Sequence, residues 1–451
     1  MAGRARGAAT AWRVRVPALL VLLAVVVAVG MPSARAAAGD LDRSFSGDGT
    51  LLLGFGRGTS GLSGLAVRSD GKIVVAGTGR HGGRSVFEIA RLLANGRLDP
   101  TFGNHGRTVV GFPGKEPSSP FLLFTPKVAL APDGGIVLAG AVSGPAASAK
   151  RDIALLRLSP GGALDPSFGD GGRVITSLGP GDDFATDVAI DGNGRIVVSA
   201  DVEHETTAAA ALRYLPSGAL DDSFGAHGVA TVPTPVDAAA LAVVLAPDGK
   251  VVLCGFAGPT VGNTKVLVAR LTADGRPDRT FGGSGRSMFG FQRHSLGFDV
   301  ALTPEGRIVV AGVTSPNGDL DEHTSIAVAR LNSLGELDPS FGTGGRVMTN
   351  TGGGDLAMGV AVQSDGRIVA VGSSDLQTLL GKHLEVLRYT RAGKLDPTFN
   401  TIGVVDIDLG PSSEAWGDVD LRGGRVTVDG LVVTTSSSFG HSTGAVARFL
   451  R

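Results

Sequence analysis

Apolar and polar positions alternate in short runs along this chain, and the runs return at a steady interval. One run is apolar at consecutive positions, Ile73-Val74-Val75-Ala76-Gly77, and follows Asp70-Gly71-Lys72. It returns as DGGIVLAG at 133–140, NGRIVVSA at 193–200, DGKVVLCG at 248–255, EGRIVVAG at 305–312, DGRIVAVG at 365–372 and, degenerate, GGRVTVDG at 423–430. Continuous apolarity over so few residues predicts a strand buried on both faces. An alternating stretch such as Gly359-Val360-Ala361-Val362 precedes each run and predicts a second strand. An apolar stretch built around one arginine follows it: Arg91, Arg157, Arg213, Arg270, Arg330, Arg388 and Arg448. The Asp-Gly pairs between the first two predict hairpins, because glycine accepts positive φ. Beyond residue 36 no segment holds a helical period.

A second string ties these strands into units. LDPTFG at 98–103 returns as LDPSFG at 164–169 and 337–342, LDRSFS at 41–46, LDDSFG at 220–225, PDRTFG at 277–282 and LDPTFN at 395–400. Its phenylalanines are Phe45, Phe102, Phe168, Phe224, Phe281, Phe341 and Phe399, at spacings of 57, 66, 56, 57, 60 and 58. An aspartate always lies three before: Asp42, Asp99, Asp165, Asp221, Asp278, Asp338 and Asp396. Asp-Pro-Ser-Phe fits a type I turn, and the stretch after it, such as Arg173-Val174-Ile175-Thr176, supplies a fourth strand. Four strands per unit, seven times over, predict an all-β repeat fold.

The phase of the repeat separates a closed ring from an open stack. Arginine and aspartate are eight residues apart in six pairs, Arg91–Asp99 through Arg388–Asp396, while the chain begins with an unpartnered Asp42 and ends with an unpartnered Arg448. Each end lacks what the other supplies. Pairing the strand at 445–450 beside the strand at 50–55 completes a seventh blade and removes two apolar edges that would otherwise invite aggregation. The expectation is a seven-bladed β-propeller over residues 37–451, closed by its two ends in one shared blade. The Arg–Asp pairs read as structural braces, with a ring of seven ligand sites as the alternative. Each Phe reads as a plug between blades.

Composition changes this picture in three places. Residues 1–36 carry five Arg and no acid, and an apolar run from Ala18 to Gly30 leads into Ala34-Arg35-Ala36. That order is a secretory signal peptide, so the expectation is export with cleavage near Ala36-Ala37 and no stable membrane anchor afterwards. The remaining 36 basic and 42 acidic residues leave a net of −6, which excludes a nucleic-acid binder held by bulk charge. One cysteine, Cys254, excludes an intrachain disulfide and any Cys-based zinc site.

The motifs Gly-x-Leu-Asp-x-Ser/Thr-Phe-Gly-x-x-Gly and Asp-Gly-Lys/Arg-Ile-Val-Val-Ala-Gly, followed by Arg-Leu/Tyr, resemble the delta-60 repeat found in tandem in bacterial exported and surface proteins. The resemblance covers residues 39–451. The Asp-Gly-Lys-Ile-Val strand is similar, more weakly, to NHL and SMP-30/gluconolactonase propellers. The first resemblance implies a propeller-like fold and no particular activity. Ser46, Asn400, Pro277 and the degenerate seventh unit depart from the pattern.

Function is expected where the units differ. Loops entering the alternating strands ring the channel mouth and bring Asp182, Asp183, Arg293, His294, Asp355, Glu414 and Trp416 forward as candidate ligand-binding residues. Asp183, Asp355 and Glu414 share one unit position with Ser295, which also suits turn capping. A second loop set on the same face holds His81, His204, His323, His383 and His441, read as solvated loop residues. No catalytic residue and no cofactor is expected, although a divalent cation at the channel mouth is possible. No His-Glu-x-x-His, phosphate loop or Gly-x-Ser-x-Gly occurs. The expectation is an exported non-catalytic scaffold presenting a variable loop face to an extracellular protein or glycan. The alternatives are a metal-dependent hydrolase or lactonase using channel-mouth acids, by analogy with the SMP-30-like propellers, and a structural surface protein.

Overall fold

The computed structural model describes residues 37–54, 60–118, 126–146, 149–203, 207–260, 262–320, 323–375, 383–408, 413–422, 425–433 and 442–451, with backbone alone at 60, 413–417, 430–433 and 442. The described residues form one compact unit, Ala37–Arg451. Their strands make seven antiparallel sheets, with four strands each apart from one extra pair, Glu116–Pro117, in the second. From the inside outwards, blade 1 is Ser60–Val67, Ile73–His81, Arg84–Leu92 and Arg107–Val110. Blade 2 is Lys127–Leu130, Ile136–Ser143, Arg151–Leu158 and Arg173–Thr176. Blade 3 is Asp183–Ile190, Ile196–Glu203, Thr207–Tyr214 and Val229–Thr231. Blade 4 is Ala238–Leu245, Val251–Thr260, Asn263–Leu271 and Arg286–Phe289. Blade 5 is His294–Leu302, Ile308–Ser315, Ser325–Leu331 and Arg346–Thr349. Blade 6 is Leu356–Val362, Ile368–Ser374, His383–Tyr389 and Val404–Ile407.

Blade 7 joins the two ends of the chain. Its inner three strands are Ser413–Arg422, Arg425–Val433 and Ser442–Leu450, and its outer strand is Thr50–Leu53. The register sets Thr50 opposite Ala447 and Leu53 opposite Gly444. The Asp42 amide donates to the Arg448 carbonyl at 2.8 Å, and the Leu450 amide to the Asp40 carbonyl at 2.9 Å. The inner strands of successive blades pack against one another all the way round, blade 7 against blade 1 included. The molecule is therefore a closed seven-bladed propeller with one shared blade, in which the two chain ends pair with each other instead of standing as separate edges.

The same few residues build every junction. Each second strand is buried on both faces, as its unbroken apolar run requires. The seven motif phenylalanines are all 0% exposed and fill the space between one blade and the next. In six of the seven units the third-strand arginine lies over that ring, at 4.6 Å for Arg213 on Phe224 and 4.7 Å for Arg91 on Phe102. Its Nε donates to the motif aspartate: 2.9 Å for Arg91–Asp99, 2.8 Å for Arg330–Asp338 and 2.9 Å for Arg448–Asp42. Its Nη2 reaches the motif hydroxyl, as Arg213 does to Ser223 at 3.0 Å. Its Nη1 reaches across to the next blade, as Arg157 does to the Pro216 carbonyl at 2.9 Å and Arg448 to that of Ala94. A guanidinium has enough donors in one plane to serve all three partners, and a lysine does not.

The residue after each Phe is pinned to the following blade by its amide, such as Gly169 to Ser217 at 2.8 Å. The two departures from glycine, Ser46 and Asn400, hold the same left-handed conformation, at φ 54° and 45°. The bonds are kept, with a side chain in a region that favours glycine.

Candidate functional site

Inner strands meet the outer strand of the preceding blade through loops on one face, where the hairpins between second and third strands also lie. We call this the loop face. The opposite face carries the inner hairpins and the Asp-x-x-Phe turns. The expected mouth residues lie at the loop face, but on separate blades. Asp183 and Asp355, both 0% exposed, begin and immediately precede the inner strands of blades 3 and 6. The Leu178 amide donates to Asp183 at 2.8 Å and the Thr351 amide to Asp355 at 2.6 Å. Ser295 does the same for the Phe291 amide at 3.1 Å. All three close the turn that leads into the inner strand. Asp182 receives the Arg151 guanidinium at 2.6 Å, and Arg293 is exposed. His294 is buried as the first residue of a strand, with Nδ1 2.8 Å from the Thr264 hydroxyl, and burial lowers its pKa. The side chains of Glu414 and Trp416 lie outside the described residues.

The structure gathers a different set of acids lower in the channel. Every inner strand with a full first-to-second-strand register carries a bulge, between Ala185 and Asp187 in blade 3 and between Gly297 and Asp299 in blade 5. The bulge turns these side chains toward the neighbouring inner strand. Asp187 accepts from its own following amide, Val188, at 2.7 Å and from Val243 of blade 4 at 2.9 Å. Asp299 accepts from Val300 at 2.7 Å and from Val360 of blade 6 at 2.7 Å. Asp418, in the bulge of blade 7, accepts from Val419 at 2.9 Å and from Leu65 of blade 1 at 3.2 Å. Carboxylates on alternate blades thus latch the inner ring from inside. Two hydroxyls add to it, Thr186 to the Ala240 carbonyl at 2.7 Å and Ser63 to that of Pro126 at 3.3 Å.

Lys127, on the inner strand of blade 2, answers this negative charge. Its Nζ lies 3.8 Å from Asp418. Burial opposes its charge, but the carboxylates, Asp418 first, outweigh burial and hold the ammonium above its ordinary pKa. Burial drives the Asp187 carboxyl up to about 6 against the pull of Lys127. Burial, then Asp418 and Asp187, bring Asp299 to about 7. Asp429 is fully buried behind Asp418, whose amide donates to it at 3.0 Å, and burial pushes its pKa up too. A signal for the set exists in the sequence: Asp-Val recurs at 187–188, 299–300 and 418–419, in units that alternate round the ring.

Further acids sit near the loop-face ends of a second and a third strand, Asp201 in blade 3 and Glu385 in blade 6. Burial raises Asp201 to about 7 and Glu385 to about 8. Of the expected histidines, His81 pairs with Glu88 at 3.1 Å and His383 with Asp406 at 2.7 Å, while His204 and His441 lie outside the described residues. Among the described residues no three His, Cys, Asp or Glu side chains are grouped so as to hold a metal ion. Two of the clefts among the described residues are wide enough for ligands of sugar size. One of about 430 Å³ lies on the loop face and is lined by Thr207, Thr231, Thr234, Pro233, Pro235 and Asp237. The other, about 850 Å³, lies on the opposite face between blades 7 and 1.

Five stretches, 68–102, 131–168, 246–281, 303–341 and 363–399, match the family described as a domain of unknown function (DUF5122) beta-propeller. Each runs from an inner hairpin to a motif Phe. No curated protein matches the chain. Among solved structures, a protein of unknown function from Dyadobacter fermentans is 14% identical, with 89% of this chain and 98% of that one covered at a TM-score of 0.46. A glucose dehydrogenase is 13% identical, covering 89% and 99% at 0.39. Sqt1 of Chaetomium thermophilum is 11% identical, covering 87% and 95% at 0.40.

Proposed function

We propose that this protein is an exported, non-catalytic binding scaffold whose loop face holds an extracellular glycan. The observation that carries the reading is the loop-face cleft beside blade 3. Its lining of threonine hydroxyls, with the single carboxylate of Asp237 as a charged acceptor and proline rings between them, offers a few hydrogen-bonding groups on a stiff surface, which suits sugar hydroxyls. The residues common to all units are consumed in the frame, which leaves the loops to carry recognition. Labelled protein incubated with cell-wall polysaccharide is expected to be retained, and Thr231→Val with Asp237→Ala to be released. Equal retention of wild type and variant contradicts the glycan site, and no retained partner at all favours a structural surface protein. Export draws on residues 1–36: protein recovered from the medium is expected to start near Ala37, and cell-retained protein that still begins at Met1 contradicts it.

A hydrolase reading draws on one observation, the carboxyls of Asp187 and Asp299 near 6 and 7, where a group can give and take protons. Both carboxylates are occupied by two backbone amides each. A stoichiometric divalent ion in the purified protein, lost in Asp187→Asn, would favour hydrolysis over scaffolding.

A further inference from the structure

In six units the third strand is followed by a tight hairpin that leads into the Asp motif, and at the seam of blade 7 the same hairpin is assembled from two separate stretches of chain. Leu450 stands two residues after Arg448, as Leu93 does after Arg91, and Gly39 stands three before Asp42, as Gly96 does before Asp99. The Leu93 amide donates to the Arg97 carbonyl and the Gly96 amide to that of Leu93. Across the seam the Leu450 amide donates to the Asp40 carbonyl and the Gly39 amide to that of Leu450, both at 2.9 Å. The Asn400 amide reaches the Ala38 carbonyl at 2.9 Å, as the Ser46 amide reaches that of Asn95. The backbone bonds of the hairpin are thus reproduced without a covalent link.

One bond is missing. Six third-strand arginines, Arg448 among them, give Nη1 to the carbonyl of the residue five before the next motif aspartate, as Arg270 does to Ser333 at 2.7 Å. The seventh acceptor in this series is Ala37, five before Asp42. Its donor, Arg388, is buried and keeps its bonds to Asp396 and Thr398, yet among the described residues its Nη1 makes no hydrogen bond. The Ala37 carbonyl instead receives the Asp40 amide at 3.2 Å. The repeat register supplies the reason. In the other units the residue before this acceptor continues the third strand, as Leu93 does before Ala94. At the seam Leu450 fills that place, and the register assigns Ala36 to it as well. Two residues cannot share one position, so a chain still joined at Ala36 leaves Ala37 short of its own.

We propose that hydrolysis of the Ala36–Ala37 bond is the step that completes the ring. One water adds across the amide, Ala36 departs as a carboxylate with the residues before it, and Ala37 becomes a chain start bearing an α-ammonium. A peptidase that cleaves after small residues supplies the catalysis. Ala37 then takes its repeat position with its carbonyl on Arg388 Nη1. Its ammonium is held by Asp40, whose carboxylate already accepts the Ala37 nitrogen at 2.7 Å. This maturation lock rests on the reading of residues 1–36 as a leader.

The test uses purified chains of defined start. One begins at Ala37, the first residue of the compact unit, and the other carries Ser33-Ala34-Arg35-Ala36 in front of it. Hydrogen exchange by mass spectrometry is read on segments 37–45 and 442–451. Exchange there is expected to be about tenfold slower in the chain that begins at Ala37, the factor that one charge-assisted hydrogen bond represents. Exchange in the other blades should match between the two chains. Arg388→Lys, which cannot fork to both Asp396 and Ala37, should erase the difference between the two starts. In the wild-type chain that begins at Ala37 the α-amine, followed by its rate of acetylation against pH, should titrate above its ordinary range of about 7.7–8.0, and Asp40→Asn should return it to that range. This measurement leaves the brace untouched, so it decides even where Arg388→Lys fails to fold. Equal exchange at the seam in both chains, or an α-amine that titrates in its ordinary range, would overturn the proposal. The starts are made in vitro, so the lock is measured separately from the leader reading, which fails by itself where protein from the medium begins far from Ala37.

Discussion

At the scale of single residues, the motif aspartate is where the chemistry of the repeat is concentrated. Burial alone would raise the Asp42 carboxyl, but the Ser44 hydroxyl, Arg425 and Arg448 outweigh it and bring it to about 2. Most motif aspartates serve two cations, the third-strand arginine and the Lys or Arg of the inner hairpin: Asp99 takes Lys72 at 2.9 Å as well as Arg91, and Asp396 takes Arg367 at 2.9 Å as well as Arg388. Blades 2 and 3 depart from this rule: in blade 3 Arg195 turns to Asp191 of its own hairpin at 2.7 Å, and blade 2 has no hairpin cation. Gly135 replaces the cation there, Arg157 turns to Asp133, and its distance to Asp165 lengthens to 3.2 Å. Removing one side of a buried pair strands the other, so Asp221→Ala should cost about 3–5 kcal/mol. Phe168→Ala, which empties a plug between blades 2 and 3, should cost about 3–5 kcal/mol as well. Urea unfolding of each variant measures both, and a loss under 1 kcal/mol would contradict the brace or the plug. The eight-residue Arg–Asp spacing was legible because it repeats. The second cation repeats too, yet Asp-Gly-Lys reads so naturally as turn chemistry that its side chain was passed over.

At the scale of elements, the inner strands do more than the sequence reading allotted to them. That reading placed variable chemistry in loops and treated strands as frame, so it selected Asp183, Asp355 and His294. The first two are turn caps, and the third is a buried strand residue. The acids that latch neighbouring inner strands, Asp187, Asp299 and Asp418, sit inside strands, and each lies at a bulge. Bulge position is set by pairing with the second strand, which alternation along one strand does not reveal. Asp187 and Asp299, together with Glu385, make stability depend on pH. Asp187 near 6, Asp299 near 7 and Glu385 near 8 bind protons in the folded state at pH values where the unfolded chain has released them. Their contribution therefore falls as pH rises from about 4 to 8. The motif aspartates are shifted the other way, and their contribution is lost as pH falls below about 4 toward Asp42's value near 2. The melting temperature should be highest between about pH 4 and 5 and lower at both pH 7.5 and pH 3. Asp187→Asn with Asp299→Asn should flatten the slope between pH 5 and 7.5. A melting temperature that climbs steadily to pH 7.5 would contradict this balance.

At the scale of the whole molecule, the fold follows from where the chain starts and stops within its repeat. A unit that began at an inner strand would have made seven self-contained blades with nothing to lock the ring. Here the chain is offset, so that Asp42 and Phe45 serve Arg448 and the last blade is held by both ends. The same offset places the least regular unit beside the closure, where a cleft of about 850 Å³ opens between blades 7 and 1. Ring closure is tested most directly by the distance between the chain's two ends in solution. With Cys254 replaced by alanine, the residue that Ala76, Ala139 and Ala311 supply in other units, nitroxide labels at Asp48→Cys and Arg451→Cys can be read by double electron–electron resonance. Adjacent strands lie about 4.8 Å apart, and both labels are a few residues from the Thr50–Ala447 pair, so a closed ring predicts one narrow distance within about 20 Å. A broad distribution centred beyond about 40 Å would contradict it.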